Sequence, residues 1–286
     1  MEATTNIPAS APAVPGHVTR IARRRARPGQ EAAYEALVRE MFGQMRASKG
    51  FLAADLLPPE APGGDYQVVI NFASEAEATD FYLSKLREQI IYENPASVAA
   101  IVMETVTGSN GVIIPPAGYM PGVRKICDEF GIMMICDEVM TGFGRTGKMF
   151  GFENFDVKPD MVSFAKGVTC GYVPLGGVAV SKEIAAFFDD NLLSCGLTYS
   201  GHPLGCAAGL ACVNYYKEHN ILANVTARGA ELAATLKGFM AKHPCVGDVR
   251  SIGLFAAVEL VKDRATKEPL VPYGKDPEGV MKKIVG

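Results

Sequence analysis

Two short apolar runs, each ending in a single charged residue, constrain the fold of this chain more than any other feature. Both lie within residues 131–166, where residues 132–136 lead into Asp137 and residues 161–165 lead into Lys166. Near-continuous apolar runs of this length, bounded by turn signals, are typical of parallel strands that are covered on both faces. Because ligands of such sheets bind beyond the carboxyl ends of the strands, we expect an acid and an amine to meet at one edge.

The residue types of this pair favour one kind of chemistry. A lysine that emerges from an apolar strand can lose its proton and attack a carbonyl carbon, which forms a Schiff base. An aspartate beside it can hold a protonated pyridine nitrogen, as pyridoxal phosphate (PLP) chemistry requires, because the charged ring is the electron sink. Judged from the pattern alone, the favoured alternative is that Asp137 and Lys166 are plain strand-end charges that face water.

Three sequence blocks around the pair resemble the signature blocks of the class III (omega-type) aminotransferases. The blocks are DEVMTGFGRTG at 137–147, SFAKG at 163–167 and GLTYSGHPLGCAA at 196–208. The resemblance covers residues 84–286 and implies an α/β protein of PLP fold type I with a mostly parallel sheet. It also implies that Lys166 bonds covalently to the cofactor and transfers a proton, while Asp137 keeps the pyridine nitrogen protonated.

The resemblance implies two further cofactor contacts. Val139 would pack against the cofactor ring, and Thr198 would hold the cofactor phosphate of the neighbouring subunit, which implies a homodimer. A hydroxyl near the start of a helix suits a phosphate group, although a simple cap or turn role for Thr198 is the alternative. His202 is expected to stabilise its turn and to take no part in the chemistry.

The resemblance also implies the substrates. Relatives that use 2-oxoglutarate carry a glutamate that gates an arginine, and none is present near Ser109 or Asn110. This absence fits the subgroup that uses pyruvate, so the implied reaction is transamination of an ω-amino acid or amine with pyruvate.

Two parts of the family pattern have no recognisable counterpart in this sequence. One is the glycine-rich phosphate-binding segment with its ring-stacking aromatic, and the other is the domain that supplies the arginine for the substrate carboxylate. We therefore expect a region, 84–286, that is incomplete at both ends and a chain that is impaired as an aminotransferase on its own.

Residues 18–83 predict a small α+β unit with the order β-α-β-β-α, which is most of a ferredoxin-like unit without its closing strand. The predicted strands and first helix lie at residues 18–25, 31–45, 51–57 and 66–72. Ser74 and Glu77 form a capping box that opens the second helix. The first helix is expected to bury four residues at helical spacing, which are Tyr34, Leu37, Met41 and Met45.

The segments GFLAADLLPPE and YQVVINFASEAEATDFY in this unit resemble the antibiotic-biosynthesis-monooxygenase (ABM) family of small α+β proteins. The resemblance raises a rival hypothesis, in which the chain is a cofactor-free ABM-type monooxygenase or binding module that carries an inert aminotransferase fragment. We expect the junction near residues 83–86, and a flexible Pro/Ala-rich leader over residues 1–17.

Beyond the junction, strands and helices alternate, as in a parallel α/β sheet. The glycine-rich segment at 142–147 fits the GxGxxG pattern of dinucleotide sites and nearly fits a P-loop. The P-loop interpretation fails because Met149 stands where Ser or Thr must bind magnesium. The dinucleotide interpretation fails because no clear helix opens at Gly147.

Composition limits the remaining classes of function. The chain is 48% hydrophobic and 21% charged, which suits a sizeable core, and its net charge of −3 argues against nucleic-acid binding. No apolar run reaches membrane-spanning length, so we expect no membrane partner. The seven cysteines form no CxxC pair, which indicates reduced packing residues in a cytoplasmic protein, with no metal site.

Overall fold

A computed structural model describes residues 18–59, 63–271 and 279–285 of the chain. These residues form two compact units. The first unit contains the described residues up to Asn94 together with Pro116–Gly122, and the second contains Pro95–Pro115 and the described residues from Val123 onward. The predicted leader, residues 1–17, lies outside the described residues.

The first unit is a three-stranded antiparallel sheet with two helices. Its elements are β1 (Val18–Arg24), α1 (Glu31–Met45), β2 (Phe51–Leu57), β3 (Tyr66–Phe72) and α2 (Glu75–Tyr92). The strand order is β1-β3-β2, and every second residue of β3 is buried, as expected for a central strand with one covered face. The predicted β-α-β-β-α order is confirmed, and no described strand closes this sheet.

The apolar face of α1 differs in part from the predicted one. Met45 is buried and Tyr34 is half-buried, but Leu37 is 64% exposed and Met41 is 36% exposed. Val38 is buried instead. The prediction was wrong for Leu37 and Met41 because the helix face toward the sheet runs through Val38, which is rotated by about 100° from Leu37.

Ser74 caps α2 as predicted, but the reciprocal half of the capping box differs, because the Glu77 carboxylate accepts from the Ser74 hydroxyl and not from the Ser74 backbone amide. The amide of Glu77 donates to the Ser74 hydroxyl at 3.2 Å, and that hydroxyl donates to the Glu77 carboxylate at 3.1 Å. The helix then continues without a break through residues 83–86, where we expected the junction between two modules. The two compact units divide at Asn94 instead, and the origin of the first unit as a separate module stays a prediction.

The second unit is built on a four-stranded sheet of order β4-β5-β6-β7. Its strands are β4 (Ala100–Glu104), β5 (Met133–Asp137), β6 (Met161–Phe164) and β7 (Gly177–Val180). The first three are parallel and β7 is antiparallel to β6, which confirms the α/β class with a mostly parallel sheet. The helix α3 (Tyr119–Phe130) connects β4 to β5.

An ion pair fixes α3 to the sheet. The Asp160 carboxylate, just before β6, accepts hydrogen bonds from Arg124 Nη1 and from the Met134 amide, both at 2.7 Å. Burial alone would raise the pKa of Asp160, but the bonds from Arg124 and Met134 outweigh it and lower the pKa. One carboxylate therefore joins α3, β5 and the start of β6.

The remainder of the second unit comprises helices and a small antiparallel sheet of order β10-β9-β8. The elements are α4 (Lys182–Asp190), α5 (Pro203–Glu218), α6 (Ile221–Lys242), β8 (Val246–Ile252), β9 (Phe255–Asp263), β10 (Glu268–Pro269) and α7 (Val280–Val285). Neither α4 nor β8 was predicted, although Ser181 caps α4 by accepting from the Ile184 amide at 3.3 Å. Among the described residues, no helix is long and apolar enough to cross a membrane.

Candidate functional site

The two predicted catalytic residues lie at the same edge of the parallel sheet. Asp137 is the last residue of β5 and is paired in register with Ser163 of β6. Lys166 follows β6 by two residues and begins the short 3-10 turn Lys166–Val168. The structure therefore places the acid and the amine at the carboxyl ends of adjacent strands, as predicted. Neighbouring strands in a sheet are about 4.8 Å apart.

Asp137 presents a carboxylate that is held by its own backbone. Its Oδ1 accepts a hydrogen bond from the Val139 amide at 2.8 Å, and the residue is half-buried. Within the described part of the chain, its Oδ2 has no hydrogen-bond donor. This oxygen can accept a hydrogen bond from a protonated nitrogen of a ligand. Val139 contributes its backbone amide to this arrangement, and the packing of its side chain against a cofactor ring stays a prediction.

Lys166 is exposed and stands in a strained backbone conformation. Its φ is +45°, in the left-handed region, where a residue with a side chain costs about 1–3 kcal/mol. The next residue, Gly167, is tightly packed, because a Cβ added there would lie 2.8 Å from the Cβ of Phe143. Among the described residues, no carboxylate forms an ion pair with the Lys166 amine, so the amine is available to a ligand.

Glu138 is a residue of this site that the sequence analysis missed. It is fully buried beside Asp137 and points to the opposite face of the strand. Its carboxylate accepts four hydrogen bonds, from Thr105 Oγ1 (2.6 Å), Thr141 Oγ1 (2.5 Å), the Gly151 amide (2.7 Å) and the Phe152 amide (2.9 Å). The signal in the sequence was a second acid directly after the strand, followed by a threonine three positions on.

These bonds give Glu138 a structural role. They join the segment after β4, the turn after Asp137 and the start of the 3-10 helix Gly151–Phe155. A buried carboxylate with this number of donors is stable in the interior, whereas an unpaired one is costly. Glu138 thus fixes the loop that carries Asp137 and Val139.

Cys136, directly before Asp137, is fully buried, and its surroundings favour the uncharged thiol. Burial is the largest cause that raises the pKa of its thiol, Thr105 lowers it, and the charge of Glu138 adds to the rise, which together bring the pKa to about 11. The thiol stays protonated at neutral pH and acts as a packing residue. All seven cysteines are free, but only Cys127 and Cys136 are buried, so the predicted packing role was wrong for the four that are exposed, which are Cys170, Cys195, Cys206 and Cys245. No described group of residues could hold a metal ion.

The glycine-rich loop at 142–147 serves close backbone packing. The Leu254 amide donates to the carbonyl oxygen of Arg145 at 3.0 Å. A Cβ added to Gly253, whose φ is +58°, would lie 2.5 Å from the carbonyl carbon of Thr146. No helix opens at Gly147, and the next regular element is the 3-10 helix Gly151–Phe155. The loop therefore lacks the helix that a dinucleotide site requires.

Thr198 is not brought into contact with the other predicted site residues. It is exposed in a turn in which the Ser200 amide donates to the Leu197 carbonyl at 2.9 Å. The cap of α5 is His202, whose Nδ1 accepts from the Leu204 amide at 3.2 Å, which confirms the stabilising role expected for this histidine. The phosphate role of Thr198 stays a prediction, since nothing in a single chain tests a contact across subunits.

Comparisons with known proteins agree on one family. The profile of the family described as Aminotransferase class-III matches residues 44–286. A taurine–pyruvate aminotransferase from Bilophila wadsworthia is 41% identical over 208 residues, which are 71% of this chain and 44% of the relative. A putrescine–pyruvate aminotransferase from Pseudomonas aeruginosa is 39% identical over 191 residues, which are 66% of this chain and 42% of the relative.

Solved structures give the same result. A taurine:2-oxoglutarate aminotransferase from Bifidobacterium kashiwanohense, in complex with PLP and glutamate, is 60% identical with a TM-score of 0.71. The match covers 73% of this chain and 47% of that structure. The chain thus spans less than half the length of these relatives, and its sheet is consistent with their fold. The profile match also begins inside α1, well before the expected junction.

Proposed function

The chain belongs to the class III aminotransferases, and we propose that it carries the PLP-binding core of an enzyme that transfers an amino group from an ω-amino acid or amine to pyruvate. The observation that supports this most strongly is the position of Asp137 and Lys166 at the carboxyl ends of adjacent parallel strands. The Oδ2 of Asp137 and the amine of Lys166 are the two groups a PLP ring requires of its protein, and both have no partner among the described residues.

The residues of the site fit PLP as a cofactor. Asp137 would hold the protonated ring nitrogen through Oδ2, since Oδ1 is already bonded to the Val139 amide. Lys166 would bond to the aldehyde carbon, and Val139 would lie against the ring. Thr198 would hold the phosphate from a second subunit.

The chemistry divides between the cofactor and these side chains. When bound, PLP supplies an electron sink for the carbon that loses a proton. The Lys166 amine would take up and return that proton as a general base and acid. Asp137 would hold the ring nitrogen in its protonated form through Oδ2. Glu138 takes no part in proton transfer, because hydroxyls and amides occupy both of its oxygens.

The relatives suggest which substrates to assay first. Taurine is in the name of two of them, putrescine in that of a third, and the acceptor is pyruvate in two and 2-oxoglutarate in one. The lack of a glutamate at positions 109 and 110 supports pyruvate. Both acceptors belong in one assay, in which alanine is the product from pyruvate and glutamate is the product from 2-oxoglutarate.

We propose a homodimer as the functional assembly. Apolar side chains around Thr198 are strongly exposed in the single chain, among them Leu192 (88%), Leu197 (82%) and Tyr199 (80%). Burial of such side chains against another surface is favourable. A second subunit that covers this stretch would also bring Thr198 to a phosphate. The cytoplasmic location suggested by the cysteines belongs to the same proposal.

The rival hypothesis of an ABM-type monooxygenase or binding module has one observation in its favour. The β-α-β-β-α order of the first unit is the order predicted for the ABM-like unit, without a closing strand among the described residues. The class III profile, however, begins at residue 44 and takes in β2, β3 and α2. We therefore keep the rival as a second candidate for the first unit alone.

An amino-transfer assay tests the proposed function. The purified chain is incubated with PLP, taurine or putrescine, and either acceptor, beside a Lys166→Ala variant. We expect slow amino transfer that depends on Lys166, because groups that would fix the phosphate and the substrate carboxylate have no recognisable counterpart here. The proposal would be overturned if Lys166→Ala formed product at the same rate as the wild-type chain. It would also be overturned if the wild-type chain formed no product with any donor and bound no cofactor covalently. Turnover equal to that of an intact relative would overturn the expected impairment.

A further inference from the structure

Tyr216 of α5 contacts the backbone directly after Lys166. Its hydroxyl donates to the carbonyl oxygen of Gly167, with 2.9 Å between the oxygens. The Sγ of Cys170 lies 3.0 Å from the same hydroxyl oxygen. Either atom can be the donor in this second contact, and the same Sγ also lies 3.7 Å from the carbonyl oxygen of Gly167. Tyr216 is therefore bonded to both ends of the turn 167–170.

This turn needs support from outside itself. Lys166 has a φ of +45° and Cys170 a φ of +51°, and both are non-glycine residues in the left-handed region. Such conformations persist only where the surroundings determine them. The backbone hydrogen bonds of this segment are long, at 3.2 Å from the Val168 amide to Ala165, 3.3 Å from the Thr169 amide to Lys166 and 3.4 Å from the Cys170 amide to Gly167. The shorter bond from Tyr216 comes from a helix that is 49 residues further along the chain.

The hydroxyl of Tyr216 is suited to permanent donation. Burial is the largest cause that raises the pKa of Tyr216, and the neighbouring Cys170 raises it further, so the hydroxyl keeps its proton at and above neutral pH. The ring of Tyr216 lies near that of Phe143, with centroids 6.4 Å apart. Phe143 in turn occupies the space beside Gly167, so the two aromatic residues hold the same peptide.

We propose that Tyr216 is a positioning residue for Lys166. By holding the carbonyl of Gly167, its hydroxyl fixes the backbone from which the lysine side chain extends toward the ligand. The inference rests on the proposed function, in which Lys166 bonds to PLP. A tyrosine at this helix position that merely filled space would need no hydroxyl.

The test is Tyr216→Phe, with Tyr215→Phe as the matched control. The first change removes the bond to Gly167 and keeps the ring. The second removes the hydroxyl of the preceding residue, Tyr215, which is exposed and whose ring is tilted by 35° against that of His219, with centroids 4.0 Å apart. The rate constant for formation of the borohydride-reducible adduct at Lys166 is measured over a PLP concentration series. We expect it to fall about two- to tenfold at saturating PLP in Tyr216→Phe, and to be unchanged in the control.

A second measurement uses the chain without cofactor. Amide hydrogen exchange in residues 166–172 should become faster by a similar factor in Tyr216→Phe, while exchange in α6 should stay at the wild-type rate, which shows that the fold is intact. Wild-type adduct rate and wild-type exchange in Tyr216→Phe would overturn the inference and leave the proposed function standing. Absence of any adduct at Lys166 in the wild-type chain would instead refute the proposed function, and the positioning role with it.

Discussion

Asp137 and Glu138 are neighbours in sequence that have opposite environments. The strand alternation sends Asp137 to the ligand edge, where one of its oxygens is free of described donors. It sends Glu138 into the interior, where four donors surround the carboxylate. Only the first residue can serve a ligand, and the second holds the first in place.

For Asp137→Asn, we expect covalent cofactor to form at Lys166 but the amino-transfer half-reaction to slow by about 100-fold or more. A neutral amide cannot stabilise the positive charge on the ring nitrogen. Single-turnover absorption measurements with an amine donor report this rate. A variant with the wild-type half-reaction rate would remove Asp137 from the proposed role.

Glu138→Gln should lower the free energy of unfolding by about 2–4 kcal/mol, because the amide group directs two hydrogens at groups that are themselves donors. Chemical denaturation measures the loss. Glu153→Gln is the control, since Glu153 is exposed and its carboxylate accepts one hydrogen bond among the described residues, from the Phe150 amide at 2.8 Å. Equal stability of the two variants would contradict the structural role of Glu138.

The strand-end positions of Asp137 and Lys166 followed from the sequence because each ends an uninterrupted apolar run, which is a local signal. Glu138 and Tyr216 did not follow, because their partners come from other parts of the chain. Thr105 lies 33 residues before Glu138, and Gly167 lies 49 residues before Tyr216. The acid after the strand and the threonine three positions on are visible in the sequence, but the sequence gives no sign of the pairings of Glu138 with Thr105 and of Tyr216 with Gly167.

At the scale of elements, the ion pair at Asp160 connects α3 with β5 and β6, and so supports the sheet that carries the site. Because its carboxylate has a lowered pKa in the folded state, against an ordinary value of 3.8, its contribution to stability is fully present above that value. The contribution is lost as pH falls through the folded-state pKa, since the protonated acid no longer pairs with Arg124.

Asp160→Asn should therefore cost about 1–3 kcal/mol of unfolding free energy at pH 7, and the difference from wild type should shrink as the pH falls below 4. Denaturation series between pH 3 and 7 measure this trend. Asp128→Asn is the control, because Asp128 also pairs with Arg124, at 2.7 Å, but its side chain is 66% exposed. A cost that does not vary with pH would contradict the assignment.

The elements themselves were largely predictable, and the exceptions have physical reasons. Helices and strands with clear periodicity, such as α1, β2 and β3, have the predicted bounds. The strand β8 (VGDVRSI) was not predicted, because its two charged residues interrupt the apolar pattern. Charged residues are tolerated there since β8 pairs with β9 and is mostly half-buried. The buried face of α1 depends on where the sheet lies, and the helical spacing alone allowed two neighbouring stripes.

At the scale of the whole molecule, a sheet edge with both reactive groups stands in a chain that spans less than half of its relatives' length. Formation of the covalent cofactor adduct and efficient amino transfer place different requirements on such a chain. In the proposed function, the covalent bond would need only Lys166 and a cofactor held by Asp137, whereas efficient turnover would need the phosphate and the substrate fixed as well. This difference explains why we expect an adduct together with slow amino transfer.

The most direct test of this account is to locate the covalent cofactor. The purified chain is mixed with PLP, reduced with borohydride, digested and mapped by mass spectrometry, beside Lys166→Ala and a control, Lys182→Ala, which changes an exposed lysine at the start of α4. We predict a reduced adduct at Lys166 in the wild-type chain and in Lys182→Ala, and its loss in Lys166→Ala. An adduct distributed over several lysines, or one that is undiminished in Lys166→Ala, would contradict the assignment of the site.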